Sequence, residues 1–481
     1  MSLEDRLHPF LSSYIGWPQW VKSLLGNAYG LIPLSWRRGH AYGAFADLLR
    51  DKSPAAIEQR TRAALGATLA WALDTVPAYA AFRHLAPQSV QDDPFAVLAQ
   101  LPVVSKADYK TDLSRYLSTR MPSSARLKTF TGGSTANPMM FYLQKGVTRP
   151  REYAFMEDFH ARVGLGDKDM VLAMRGRTVP SAARAGGKLW MYEPIKRQLI
   201  LSSDHLETRF MPAYEEALRQ FHPPYIQAFP SALYPLVRWL AEHPLPEFTE
   251  QVRGIMLYSE NVPEFQMRLI RQVFGCPILK HYGHSERVLM AATLPDDDRY
   301  HFWPQYGYFE LLNEAGTPVT RPGELGEIVG TSFDNRVMPF VRYRTGDMAM
   351  LSDNPPTLPG YPVVERIEGR LQEFIVTRDH RLISICTMGA AHFDELANVD
   401  AIQYEQQEPG RFVLKVVART PIDDAMRHRI AHAVEEKTQH GCTADIVQVE
   451  SIPRTLRGKH VMLVQHLDIS RYLGAARGVE K

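Results

Sequence analysis

Five short stretches carry residues whose types and spacing can do chemistry. TGGSTANPMMFYL, 131–143, gathers Thr131, Gly133, Ser134 and Thr135 ahead of Pro138 and an apolar run. Glycines and hydroxylated residues side by side can turn several N–H and O–H donors to one side, the arrangement that holds phosphate oxygens. HYGHSERV, 281–288, sets Tyr282, Gly283, Ser285 and Glu286 after an apolar segment. A carboxylate at a strand end can hold Mg²⁺ through its waters. VRYRTGDMAM, 341–350, places Asp347 behind a glycine turn, where it can accept two ribose hydroxyls. IEGRLQEFIV offers Arg370, and IPRTLRGKHVMLV offers Lys459 on a glycine turn.

Each residue also has an ordinary structural use. A Gly/Ser-rich run is commonly a surface turn, Glu286 can pair with Arg287, Asp347 can cap a turn, and Lys459 can be one more solvated lysine. Gly-His-Ser within 283–285 suggests a hydrolase nucleophile elbow, but Glu286 and Arg287 occupy positions that need glycine. The phosphate-loop pattern ending in Gly-Lys-Ser/Thr is absent. The weight therefore rests on the order and spacing of the whole set.

These residues need elements to place them. The spacing of Ala, Leu and Trp predicts a helix over 54–76, closed by Pro77. LPVVSKADY, 101–109, reads as a short strand followed by Ser105 as a helix cap. VTRPREYAFMEDFHARVGLG reads as a helix closing on Gly164 or Gly166, and VPEFQMRLIRQVFG as an amphipathic helix ending at Gly275. DMVLAMRG, RGIMLY and CPILKHYG have the length and apolar content of buried strands. The alternation predicts an α/β fold with mainly parallel strands. Short strands separated by NEAGTP and RPGELGE are expected over 300–347. After Gly369-Arg370, RFVLKVVART, DAMRHRIAHAVEEKTQ and TADIVQVESI read as strand, helix and strand of a small α+β domain.

The bulk numbers agree with that plan. A chain of 481 residues exceeds one ordinary core, and 45% hydrophobic with 22% charged residues is a folded composition. A net charge of +2 with scattered bases does not point to nucleic acid. Cys276, Cys386 and Cys442 lie far apart, so neither a disulfide framework nor a zinc site is expected, and a reducing cytoplasm fits. Asp296, Asp297, Asp298 and His301 are expected to form a solvated acidic loop. The opening MSLEDRLHPF carries acids where a signal peptide would carry bases. Pro18, Lys22, Gly26 and Pro33 interrupt the Trp/Leu-rich stretch that follows, so an amphipathic helix packed on the body is expected, without stable membrane insertion.

Taken together, the five stretches resemble the adenylate-forming superfamily of acyl- and aryl-CoA ligases. YIQAFPSALYPLVRWL, YSENVPEFQMRLIRQVFGCPILKHYGHSERV and GELGEIVGTSFDNRVMPFVRYRTGDM are most similar to the phenylacetate–CoA ligase-like branch, which includes capsule-biosynthesis homologues. The resemblance implies a large N-terminal adenylation domain, 1–369, and a small mobile C-terminal α+β domain, 370–481. It also implies ATP-dependent activation of a small carboxylic acid with Mg²⁺, followed by transfer to coenzyme A. By motif, Thr131, Gly133, Ser134 and Thr135 would lie over the β- and γ-phosphates, Tyr282 with Gly283 near adenine, and Ser259 and Glu260 by the base. Ser285 would approach the α-phosphate, Glu286 would hold Mg²⁺, Asp347 would bind the ribose, and Arg370 the ribose or phosphate side. Lys459 would neutralise charge during adenylation, and the turn around Gly369–Gln372 would be the hinge. Tyr225, Phe229, Tyr258 and His281 would line an acyl pocket of aromatic character.

Ala136 and Asn137 depart from the family's Gly and Lys before the proline, which removes a charge from the phosphate loop. Gln372 stands where many relatives carry Asp or Lys, and VLMAATLPDDDRYHF lacks the cysteines some relatives use for a metal cluster. Transfer to an amine or a carrier-protein thiol, nucleotidyl transfer, and nucleotide binding without catalysis stay open on sequence. So does a homodimer.

Overall fold

A computed structural model describes residues 17, 19–30, 32–85, 88–131, 139–175, 179, 187–203, 205–206, 208–370, 373–385, 399–418, 420–453, 460–469 and 471–472. Its centre is a twelve-stranded mixed sheet. A two-stranded ribbon, β1 (Arg126–Phe130) and β2 (Met140–Gln144), precedes it. The sheet is built from β3 (Val171–Met174), β4 (Trp190–Glu193), β5 (Gln198–Leu201), β6 (Tyr225–Ala228), β7 (Gly254–Tyr258), β8 (Ile278–Gly283) and β9 (Met290–Leu294). It continues through β10 (Asp297–Phe302), β11 (Gly307–Leu312), β12 (Leu325–Ser332), β13 (Tyr343–Leu351) and β14 (Val363–Arg370). The order across it is β11-β12-β13-β14-β10-β9-β8-β7-β6-β3-β5-β4.

The neighbours β8, β7, β6, β3 and β5 are parallel, and the rest pair antiparallel. Every residue of β3, β6 and β7 is buried, the pattern of parallel strands covered on both faces. Helix Thr148–Ala161 contributes Phe155 and Phe159 to this core, and helix Pro230–Glu242 contributes Leu233, Leu236 and Val237. Helix Glu264–Phe274 buries Met267, Ile270 and Phe274 at 3- and 4-residue spacing and stops at Gly275, whose φ of +59° suits glycine. The expected helix over 54–76 runs Pro54–Thr75, with proline at its first position and Val76 extended after it.

Two expectations change. The apolar residues before Ser105 do not form a strand. Val104 makes a single bridge to Tyr343, on the edge of β13 that β14 takes up only from Asp347 onward, and the chain turns into a helix directly after it at Ser105. Ser105 still opens helix Lys106–Thr111, with Asp108 accepting from its N–H at 2.8 Å and its hydroxyl at 2.6 Å. The 296–298 loop is not simply solvated: Asp297 sits in β10, 11% exposed, and holds Arg299 and Thr357. The acid is kept for structure.

The C-terminal part forms its own sheet. After the hairpin β15 (Phe374–Val376) and β16 (Leu382–Ser384) come β17 (Val399–Glu408), β18 (Arg411–Ala418), β19 (Thr443–Gln448) and β20 (Leu463–Gln465), ordered β19-β18-β17-β20. Helix Asp424–Lys437 starts where Asp423 accepts from the Met426 N–H at 2.7 Å. Tyr404, Leu414, Val416, Ile430 and Val434 form its core. The unit touches the large sheet's layer: Arg238 donates to the Val399 carbonyl at 2.8 Å, and Phe265 packs on the C-terminal core. Helix Gln19–Gly30 lies against the outer strand β4, where a Cβ on Gly26 would come within 2.7 Å of Pro194. Among the described residues no helix is long and apolar enough to cross a membrane.

Candidate functional site

A cleft of about 2210 Å³ opens where the parallel strands end, between the large sheet and the C-terminal unit. Parallel strands with covering helices place their C-terminal ends at such a crevice. Register lines up four residues there. Met174 pairs with Ala228, Ala228 with Leu257, and Leu257 with Lys280. One residue further along come Arg175, Phe229, Tyr258 and His281, with Tyr258 and His281 in direct register.

On one side of this row stands the β8 turn. The Tyr282 hydroxyl donates to Asp347 Oδ2 at 2.7 Å. Asp347 follows Gly346, whose φ is +77°, and lies opposite Arg370 in the β13–β14 register. Glu327 holds the turn, accepting from the Gly346 N–H at 3.1 Å and from Arg344 Nε at 2.7 Å. Ser285 lines the cleft beside Glu286. Glu286 is 8% exposed, and its Oε1 accepts from the buried Tyr343 hydroxyl at 2.7 Å. A carboxylate that lines the cleft with one oxygen engaged fits Mg²⁺, which takes one or two protein carboxylates and completes its shell with water and phosphate. No group of three or more His, Cys, Asp or Glu is gathered as a metal site among the described residues.

Thr131 closes the neck of the Gly/Ser loop. Its N–H donates to the Met139 carbonyl at 2.9 Å, and its side-chain oxygen accepts from the Met139 N–H at 2.8 Å. Gly133, Ser134, Thr135, Gln372 and Lys459 lie outside the described residues, and Arg370 is described by its backbone alone. Gly369, the first residue of the expected hinge, has φ +95°, and a Cβ there would lie 2.0 Å from Glu373 Oε2.

Ser259 and Glu260 follow β7. Ser259 adopts a φ of +63°, rare for a residue with a Cβ. Glu260 accepts from the Ser231 N–H at 3.0 Å, from the Ser231 hydroxyl at 3.1 Å, and from the His460 N–H at 3.1 Å. This carboxylate ties the first turn of helix Pro230–Glu242 to the residue that follows Lys459 in sequence.

The acyl-pocket set divides. Phe229 and His281 line the cleft. Tyr225 starts β6, four residues before Phe229, so it lies roughly 13 Å back along the strand at about 3.3 Å per residue; it is core, 2% exposed. Tyr258 is in the row but 1% exposed, roofed by the Arg175 guanidinium 3.9 Å from its ring. Its hydroxyl meets His160 Nε2 at 3.1 Å, and Gln227 Nε2 lies 3.1 Å from the same nitrogen. Burial, reinforced by the Arg175 charge, pushes both His160 and His281 down to about 3, so both rings are neutral at pH 7.

Sequence reasoning passed over Arg175, Tyr343, Glu327 and His460. A charged residue directly after the apolar DMVLAM run was the available signal for Arg175. Nothing local marks Tyr343 as the partner of Glu286.

The chain matches no family model. It is 21% identical over 382 residues to protein CapK of Staphylococcus aureus, covering 77% of this chain and 81% of that protein. It is 26% identical over 166 residues to a phenylacetate–coenzyme A ligase of Pseudomonas putida and 23% over 265 residues to that of Escherichia coli. Those two alignments cover 34% and 50% of this chain, and 37% and 57% of the ligases. Among solved structures, 2-hydroxyisobutyryl-CoA ligase in its postadenylation state superimposes with a TM-score of 0.62 at 17% identity, covering 87% of this chain and 90% of that one. An acyl acid amido synthetase gives 0.53 at 14% identity, covering 87% and 94%. These structural likenesses establish the fold: a large N-terminal and a small C-terminal domain.

Proposed function

We propose that the chain, which is similar to CapK and to phenylacetate–coenzyme A ligases and shares the fold of adenylate-forming ligases, is an adenylate-forming enzyme of the phenylacetate–CoA ligase-like branch that activates a carboxylic acid with ATP and passes the acyl group to coenzyme A. The observation that carries this reading is the meeting in one cleft of Thr131, Ser285, Glu286 and Asp347 with His460 of the C-terminal unit. These residues are scattered over the sequence, and their types suit two anions that must be brought together.

In this reading the acid's carboxylate attacks the α-phosphorus of ATP and pyrophosphate leaves. The carboxylate is already a nucleophile, so no general base is needed. The cleft's task is positioning and charge neutralisation. Asp347, aligned by Tyr282, accepts the ribose hydroxyls. Thr131 holds the neck of the loop assigned to the terminal phosphates, and Ser285 donates toward the α-phosphate. Glu286, oriented by Tyr343, would hold Mg²⁺, which supplies phosphate charge neutralisation when bound. Lys459 neutralises the developing charge between the reactants, and Arg370 steadies the ribose side.

The second half-reaction requires the lysine to withdraw. We assign residues 370–481 to a mobile unit turning about Gly369–Gln372. The Glu260–His460 contact is the latch of the adenylating arrangement. Dependence on ATP and coenzyme A goes with a cytoplasmic location.

Carboxylate-dependent ATP–pyrophosphate exchange with Mg²⁺ tests the first step. Exchange with one class of acid, followed by thioester on adding coenzyme A, is the expected outcome. ATP binding without exchange for any acid would refute activation, and exchange with acyl transfer only to amines would replace the acceptor.

A further inference from the structure

The acyl end of the cleft carries a cation that phenylacetate-type chemistry does not need. Arg175 stands at the C-terminal end of β3, lines the cleft, and lies over Tyr258. Among the described residues no carboxylate pairs with it. Beside Tyr258, His281 Nε2 is shielded from water and lacks a hydrogen-bond partner among the described residues; the same holds for both ring nitrogens of His284, whose ring lies 6.0 Å from Tyr282 and 6.5 Å from Tyr343. Both histidines line the same cleft. The buried His281 nitrogen is polar capacity that no described residue satisfies, and the exposed Arg175 guanidinium stands near it without a described carboxylate.

The position separates this capacity from the nucleotide. Tyr282 and Asp347 mark the ribose side at β8 and β13. β3 lies on the opposite side of β8, with β7 and β6 between. Neighbouring strands are about 4.8 Å apart, which puts β3 on the order of 14 Å from β8. The Arg175 backbone thus stands on the far side of the row from Asp347, and its side chain reaches back over Tyr258 of β7, whose ring lies 5.2 Å from that of His281, so an acyl group running from the nucleotide along the row would meet it.

Resting on the reading of acid activation given above, we propose that the substrate is a carboxylic acid with a second anionic group, read by Arg175 with a hydrogen bond from His281. The planar guanidinium, fixed by stacking on Tyr258, suits a bidentate contact to a carboxylate. The same arrangement rejects apolar acids. A phenyl or alkyl group laid over Arg175 would strip its water and return no hydrogen bond. Within the row, Phe229 lines the cleft while Tyr258 lies beneath the Arg175 guanidinium.

The test is ATP–pyrophosphate exchange with dicarboxylic acids of increasing length, each against the monocarboxylic acid of equal carbon count, and with phenylacetate. A dicarboxylate should exceed its partner in kcat/KM by roughly 10- to 100-fold, the scale of one charge-assisted hydrogen-bond pair. Arg175→Gln should erase that preference and leave the KM for ATP within about twofold, while Arg175→Lys restores part of it. Preference for phenylacetate or monocarboxylates would overturn the proposal and leave activation intact. So would an equal loss for all acids, or a raised KM for ATP in Arg175→Gln. Exchange with no acid of either kind would refute activation itself, and the second-anion proposal with it.

Discussion

The hydroxyl of Tyr282 and the carboxylate of Asp347, 65 residues apart in sequence, meet at 2.7 Å. The contact joins the end of β8 to β13 across the cleft and orients the acid assigned to the ribose. A tyrosine expected to serve adenine by its ring therefore also serves the neighbouring carboxylate by its hydroxyl.

Removing that hydroxyl frees Asp347 to rotate. Tyr282→Phe should raise the KM for ATP by about 3- to 10-fold with little change in kcat, the scale of one net hydrogen bond. Asp347→Ala should raise it further. Initial-rate pyrophosphate exchange at varied ATP measures both, and an unchanged KM in both variants would remove Asp347 from nucleotide binding.

Glu286 and Tyr343 form a parallel pair. Glu286→Gln should lower exchange by about 100-fold or more and shift the Mg²⁺ titration to higher concentration, as expected when a metal-holding charge is lost. Tyr343→Phe should shift the titration in the same direction by less. A Mg²⁺ midpoint identical to wild type in Glu286→Gln would assign the carboxylate a purely structural role.

Substitutions at Lys459 and Glu260 should tell the two half-reactions apart. Lys459→Ala should cut adenylation by roughly 100-fold or more, yet leave thioester formation from pre-formed adenylate largely intact. Glu260→Gln weakens the anchor of the His460 N–H and should depress adenylation alone, with faster amide exchange at 460–465. Equal loss in both half-reactions would sink the rotation model.

The buried histidines make a pH prediction. His160 and His281 titrate near 3 in the folded chain because burial disfavours their charged forms, against about 6.5 when unfolded. Between those values the unfolded chain binds more protons. Their contribution to stability is complete above about pH 6.5 and falls as the pH drops toward 3. Melting temperature should decline over this window, and His160→Gln should make the decline shallower. An identical acid limb in that variant would show that His160 does not titrate there.

Much of the fold was legible because its signals are local. The helix over Pro54–Thr75, the αL stop at Gly275 and the buried runs of β3, β6 and β7 follow from spacing, punctuation and apolar content within a few residues. The site motifs were legible for the same reason: Asp347 behind its glycine turn and Glu286 after a strand are short-range patterns. The strand before Ser105 was misread because a run of apolar residues does not say how far it pairs with a neighbouring strand before the chain turns.

Pairings across the chain were decided only in three dimensions. Which carboxylate Tyr343 orients, that Glu260 reaches His460 across 200 residues, and that Tyr225 is core while Arg175 is cleft wall all depend on the strand order β8-β7-β6-β3 and its register. A strand's own residues set which of them can share a face. Its neighbours and the end of the sheet it reaches set which of those meet the substrate. The sequence by itself determined which short motifs could carry chemistry, because each of them is contiguous. The character of the cleft wall formed by Arg175, Phe229 and His281 came from tertiary structure, because it is assembled one residue per strand.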